Sequence, residues 1–309
     1  MEFVTLEEIR AARTRIENAA VYTPLLDVGG LLLKCENLQP MGAFKIRGAF
    51  NMIAQLSADQ LKRGVITYSS GNHGQAVALA AKSLGAPAVV VMPTTAPAVK
   101  VEGCKGYGAE VIMAGTTSLD RQARAEKEAL ARGLTMVPPF DHRLIVIGQG
   151  TTGLEILEQC PDVGTVFVPA GGGGLVSGVA AAIKLSNPSV RIVAVEPAGA
   201  PKMTRSLEAG HPVTLDSSAS IADGLMNLRP GDITFAHVQK FVDEVVTVSE
   251  TEIAAAVSWL FRNARIVAEP SGAVTTAAVH LGLGHPVGQV VAIVTGGNVA
   301  PEKFAKYIA

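Results

Sequence analysis

The stretch Thr165-Val166-Phe167-Val168-Pro169-Ala170-Gly171-Gly172-Gly173-Gly174-Leu175 decides the fold. A short apolar run, Thr165–Val168, hands over through four glycines to a helical pattern at Leu175–Leu185. Such a run bounded by turn residues reads as a strand buried on both faces, and open α/β sheets bind their ligands where strands end. Consecutive glycines expose backbone N–H groups that no side chain shields. With the dipole of the following helix they make a phosphate cradle. A tight strand–helix turn is the plainer alternative for the same residues.

The same handover occurs twice more. Val65–Tyr68 runs into Ser69-Ser70-Gly71-Asn72-His73-Gly74, and Val290–Val294 runs into Thr295-Gly296-Gly297-Asn298. Further strands are expected at Leu31–Cys35, Ala88–Met92, Glu110–Met113, Arg191–Val195 and Glu244–Val248. Ala-rich helical periodicity fills Gln75–Leu84, Leu119–Arg132 and Glu252–Asn263. Thr5 with Glu8 has capping-box spacing and opens a helix to about Ala19. Buried strands joined by helical crossovers give an α/β fold of parallel sheets covered by helices. One large sheet or two smaller sheets with a cleft between them both fit. No linker or repeat divides the chain, and Pro138-Pro139 is the best breakpoint. Asp27-Val28-Gly29-Gly30 reads as a tight connection, a trimmed loop.

At 309 residues the chain exceeds one typical domain, so two lobes are expected. Hydrophobic residues at 48% against 17% charged supply a large core, and 26 Lys plus Arg against 27 Asp plus Glu leave no basic face for nucleic acid. Cys35, Cys104 and Cys160 show no metal-ligand spacing and read as core thiols of a reducing compartment. Met1-Glu2-Phe3-Val4 does not suit a signal peptide, and no apolar run is long enough to span a bilayer. A cytoplasmic protein is expected.

Two segments carry chemistry beyond the glycines. Ser69, Ser70, Asn72 and His73 bring hydroxyls, an amide and an imidazole to a helix start, with Gly71 leaving its N–H accessible. This suits an anion such as a substrate carboxylate, although a helix cap at Ser70 or Asn72 explains one of these residues. In Gly42-Ala43-Phe44-Lys45-Ile46-Arg47-Gly48 a lysine lies within an apolar segment. Taken out of water it loses part of its preference for the proton and becomes a nucleophile for a carbonyl. A snorkelling surface lysine is the ordinary alternative. Glu196, closing the strand after the four glycines, also invites a dinucleotide reading, but Gly172-x-Gly174-x-x-Ser177 lacks the third small residue of that fingerprint.

Glu36-Asn37-Leu38-Gln39-Pro40-Met41-Gly42-Ala43-Phe44-Lys45-Ile46-Arg47-Gly48-Ala49 resembles the lysine motif of the pyridoxal-phosphate threonine dehydratases and serine racemases. Ser69–Gln75, Gly148–Thr151, Gly171–Leu175, Ala222–Gly224, Glu269–Gly272 and Thr295–Asn298 follow in that family's order. The resemblance covers nearly the whole chain. It implies fold type II, similar to the tryptophan synthase β chain: two lobes, each a twisted parallel-rich sheet covered by helices, with pyridoxal 5'-phosphate in the cleft. The large lobe would be 1–50 and 141–309, the small mobile one 51–140, and the assembly a homodimer or homotetramer. By the resemblance Lys45 holds the cofactor covalently and Phe44 packs beside its ring. Asn72 bonds the ring hydroxyl, while Gly171, Gly172, Gly173, Gly174 and Leu175 hold the phosphate. Gly224 and Glu269 belong to the same cofactor site, and Thr295 sets a hydroxyl against the pyridine nitrogen. A hydroxyl does not force that nitrogen to protonate, which favours elimination over transamination.

The implied activity is a lyase reaction that takes L-threonine or L-serine to a 2-oxo acid and ammonia, with Lys45 as general base. Ser69, Ser70, Gly71, Asn72 and His73 would bind the substrate carboxylate. Ser70 also matches the serine that delivers a proton in serine racemases, so an amino-acid racemase is the alternative, with 3-hydroxyaspartate dehydratase beside it. Arg121 falls where racemases carry a carboxylate-binding arginine, and a solvent-facing arginine fits equally well. In the metal-dependent members Glu, an alanine carbonyl and Asp bind a divalent ion. Glu196 and Ala200 match here, but Lys202 replaces the Asp, and an ammonium cannot ligate a cation. A divalent metal site of that kind is therefore not expected; Lys202 is available to pair with Glu196, and a monovalent cation is the other alternative. No regulatory domain is expected after Ala309.

Overall fold

The computed structural model describes residues 2–69, 71–96 and 98–309, apart from the side chain of Val99. Ten strands form two sheets among these residues. The larger takes β1 (Leu25–Val28), β2 (Leu31–Cys35), β7 (Val163–Pro169), β8 (Arg191–Pro197), β9 (Glu244–Val248) and β10 (Gln289–Val294), in the order β1-β2-β10-β7-β8-β9. The smaller takes β3 (Val65–Tyr68), β4 (Ala88–Met92), β5 (Glu110–Met113) and β6 (Thr135–Met136), in the order β5-β4-β3-β6. Every pairing is parallel except β1 with β2. Of the two arrangements left open by the sequence, the chain adopts two sheets.

The central strands are buried along most of their length, which is why they read as unbroken apolar runs. Helices Arg143–Gln159 and Gly174–Ser186 pack on one face of the large sheet, and Pro270–His280 covers the other. The small sheet has its own core, with helices Ile46–Ile53 and Asn72–Ser83 on one side and Ser118–Arg132 on the other. Thr5 and Glu8 do form a capping box, but the helix they open ends at Ile16.

One reading is corrected. The segment before Leu31 is a hairpin rather than a trimmed loop. Leu25–Val28 pairs antiparallel with β2 through Gly29 and Gly30, at φ of 64° and 91°. Both turn positions need a left-handed backbone, which glycine adopts without strain and which suits a two-residue hairpin. Cys35, Cys104 and Cys160 are buried free thiols, each pushed up to about 11 by burial. No described helix is long and apolar enough to cross a membrane.

Candidate active site

Lys45 stands just before helix Ile46–Ile53, on a segment laced to the loop after β10. Phe44 N donates to Thr295 O at 3.1 Å, Gly297 N to Gly42 O at 2.9 Å, and Ala43 bridges to Gly296. These bonds put Lys45, Phe44 and Thr295 side by side although they lie far apart in sequence. The Lys45 ammonium donates to Pro139 O at 2.8 Å and lies 5.0 Å from the centre of the Phe44 ring. Burial lowers its pKa to about 8, with no carboxylate to oppose the shift.

The segment was also anchored from behind. Arg47 makes two-pronged contacts with Glu36 (2.7 and 2.8 Å) and Glu155 (2.6 and 2.9 Å), and Lys34 joins Glu155 at 2.5 Å. All four side chains are buried. Burial pushes the Glu36 carboxyl up, and Arg47 pulls it below the usual carboxylate range.

Asn72 opens helix Asn72–Ser83 and is held by two neighbours. Its amide donates to Glu269 Oε1 at 2.6 Å and accepts from Asn298 Nδ2 at 2.8 Å. Asn298 also donates to Met41 O at 2.9 Å, which ties this cluster to the Lys45 segment. Glu269 is buried and raised to about 7, by burial first and the Asp223 charge second. Ser69 Oγ accepts from Gly71 N at 3.1 Å. Ser70 lies outside the described residues.

Gly171–Gly174 are buried after β7. Among the described residues the N–H groups of Gly171, Gly172 and Gly173 donate to no protein acceptor. Buried donors without partners are costly and call for an anion. The loop has no room for side chains. A Cβ on Gly172 would stand 2.3 Å from the Phe140 ring, and one on Gly173, at φ of 100°, would stand 2.7 Å from Thr234 Cβ. Thr234 Oγ1 donates to Gly172 O at 2.6 Å and fixes the loop from outside. Gly224 O lies 3.2 Å from the Cβ position of Gly171, and Gly224 N donates to Ser271 Oγ at 2.9 Å. Thr295 Oγ1 is directed at Ser271 O, 3.4 Å away. Leu175 packs into the large core.

Lys45, Phe44, Asn72, Glu269, Thr295 and Gly224 are thus linked to the glycine loop by short chains of contacts. Two candidates stand apart. His73 is buried with Nε2 donating to Val137 O at 3.0 Å. Its pKa falls to about 3, by burial and then by the Lys45 charge, so the ring is neutral. Arg121 is half-buried on helix Ser118–Arg132, its contact to Thr116 O is a long 3.5 Å, and Nε has no partner among the described residues. Glu196 is not free for a ribose. Its carboxylate accepts from Met203 N, Thr204 N and Thr204 Oγ1 and pairs with Lys202 at 3.0 Å.

Sequence reasoning missed the crossover 137–142 as part of the site. Val137 O meets His73, Pro139 O meets Lys45, the Phe140 ring covers Gly172, and Asp141 accepts from three N–H groups opening helix Asp232–Phe241. Its signal was Pro138-Pro139, read only as a breakpoint. A cavity of about 720 Å³ lies elsewhere, lined by Arg10, Arg13, Tyr22 and Glu158, and touches neither Lys45 nor the glycines.

An amine with lowered pKa, a buried anion cradle and a polar cluster between them fit pyridoxal phosphate, which carries an aldehyde, a phosphate and a polar ring edge. Residues 10–296 match the family described as pyridoxal-phosphate dependent enzyme. The chain is 43% identical over 304 residues to the L-threonine ammonia-lyase of Thermotoga maritima, covering 96% of this chain and 76% of that one. It is 42% identical over 274 residues to the biosynthetic L-threonine dehydratase of Pasteurella multocida, covering 86% of this chain but only 53%, about half, of that enzyme. The solved structure of maize serine racemase superposes with a TM-score of 0.95 at 39% identity, covering 99% of this chain and 97% of the maize chain. The fold, the site and these relatives agree that the chain belongs to the pyridoxal-phosphate dependent enzyme family.

Proposed function

We propose that this protein is an ammonia-lyase that eliminates water from L-threonine or L-serine and yields a 2-oxo acid and ammonia. One observation carries the reading. Lys45 is an amine with a pKa lowered to about 8, unpaired with any carboxylate among the described residues, on a segment fastened to Thr295. Bound pyridoxal phosphate supplies the electron sink for the Cα–H bond that breaks. Lys45 would hold the cofactor through its nitrogen, and the same amine, when free, would take the proton from substrate Cα. Gly171 to Gly174 bind the phosphate through the backbone, with Leu175 at the helix start and Gly224 beside the loop. Phe44 flanks the ring. Asn72 is oriented by Glu269 and Asn298 and would offer its remaining amide hydrogen to the ring oxygen. Thr295 would supply a neutral hydroxyl to the pyridine nitrogen. Ser69 and the helix start at Asn72 would receive the substrate carboxylate, with the Gly71 N–H already engaged by Ser69 Oγ.

Racemisation is the second reading, supported by the likeness to maize serine racemase. The Glu196–Lys202 pair weighs against its divalent-metal form, because the Glu196 carboxylate is already taken. We further propose that residues 51–140 move as a small lobe against 1–50 and 141–309, and that the enzyme is a cytoplasmic homodimer or homotetramer. The test is incubation of the loaded protein with threonine, serine, 3-hydroxyaspartate and phenylserine, with chiral analysis of unreacted substrate. Release of 2-oxo acid from L-threonine or L-serine without enantiomer supports the lyase. Inverted substrate without 2-oxo acid refutes it.

A further inference from the structure

Lys202 contacts neither Lys45 nor the four glycines, and its ammonium is completely buried. The ammonium donates to Ala170 O and Ala200 O, each at 3.0 Å, and forms an ion pair with Glu196 Oε1 at the same distance. One carboxylate and two carbonyls are the donor set of a hard cation, and here a side chain of the protein supplies the charge. The divalent ion expected in the metal-dependent members does not fit, because the ammonium occupies the place between those oxygens.

The location gives the pair its importance. Ala170 is the residue before Gly171; its N–H is tied to Val195 O at 2.8 Å and its C=O to Lys202. Glu196 caps the start of helix Lys202–Ala209 through Met203 N and Thr204 N, at 2.8 and 2.9 Å. Met203 Cε in turn stands 3.3 Å from the Cβ position of Gly173. The ammonium therefore joins the base of the glycine loop to the helix that packs under it.

We propose that Lys202 is a built-in cation that positions the Gly171–Gly174 cradle, so that cofactor binding needs no free metal ion. The proposal rests on the reading of that loop as the phosphate site. Lys202 acts through Ala170 and Glu196 and is a positioning residue.

The test measures cofactor affinity by fluorescence titration of the apo protein. The buffer cation is tetramethylammonium, too large for the cage, and EDTA is present. Wild-type affinity should be the same here as in potassium or magnesium. Lys202→Ala should lose affinity about ten- to hundredfold, the range for one hydrogen bond to a charged group, and methylammonium or potassium should restore most of it. If Lys202→Ala folds poorly, Glu196→Gln with Lys202→Met removes both charges; it should bind weakly in every cation. Wild-type protein that loses cofactor in EDTA overturns the proposal, as does a Lys202→Ala loss that no cation repairs. Wild-type affinity in both variants also overturns it. Gly172→Ala separates the two layers. If it alone binds weakly, only the role of Lys202 fails; if it too binds normally, the cradle reading fails and the proposal with it.

Discussion

Arg47→Met is the perturbation whose consequences can be worked furthest. The wild-type cluster is neutral, with Arg47 and Lys34 against Glu36 and Glu155, all buried. Removing the guanidinium leaves two carboxylates facing one ammonium. Glu36 then keeps only neutral donors, Thr23 Oγ1 at 2.6 Å and Gln39 Nε2 at 3.2 Å. Breaking one side of a buried ion pair costs about 3–5 kcal/mol. The cost must depend on pH. In the wild type the folded pKa of Glu36 is depressed, so its contribution to stability is present above the unfolded pKa and is lost as acid protonates it. In the variant burial is opposed only by the smaller effects of the Lys34 charge and the Thr23 hydroxyl, so that pKa rises and stability falls as pH rises through it. The gap between the two proteins should be widest at pH 8 and narrow toward pH 5. Urea unfolding of both proteins across this range measures it. A gap below about 1 kcal/mol, the worth of a surface pair, and flat with pH would refute the reasoning.

Four narrower outcomes follow. Glu269, raised from 4.5 to about 7, binds protons more tightly when folded, so wild-type stability should fall by about 3 kcal/mol between those pH values. Glu269→Gln should lack that component in the same urea experiment. Gly172→Ala, whose methyl would meet the Phe140 ring at 2.3 Å, should be destabilised by about 1–3 kcal/mol and bind cofactor weakly. Cofactor loading needs the neutral Lys45 amine, so its rate in stopped-flow absorbance should rise with pH and level off above about 8. His73→Gln should keep an unchanged pH profile of turnover, because the wild-type ring is neutral throughout the working range.

Much of the fold was legible because buried parallel strands admit few residue types. The buried Val65–Tyr68 and Ala88–Met92 have the bounds their apolar runs suggest, and so do the edge strands Glu110–Met113 and Glu244–Val248, which are only partly covered. Leu25–Val28 escaped notice because it is a short edge strand with Asp27 exposed on it, so no buried run marks it. Gly29-Gly30 held the clue, a hairpin turn rather than a shortened loop. In the candidate site, four consecutive glycines marked the loop, whereas local composition left Lys45 open to a snorkelling surface reading and only its motif's resemblance and order singled it out. Phe140, Asp141 and Asn298 carried no such mark, since each acts across more than ninety residues of chain or against a distant loop. The pairing of Lys202 with Glu196 was foreseeable from their charges. That it also grips Ala170 O, the foot of the loop, required the tertiary structure.

The central claim is that Lys45 is the cofactor's anchor. Loaded protein is reduced with borohydride, digested and mapped by mass spectrometry, with Lys45→Ala treated in parallel. The expected result is a pyridoxyl-phosphate mass on Lys45 alone, with no adduct and no 2-oxo acid formation in the variant. An adduct on another lysine of the wild type, or a variant that still turns over L-threonine, would contradict it.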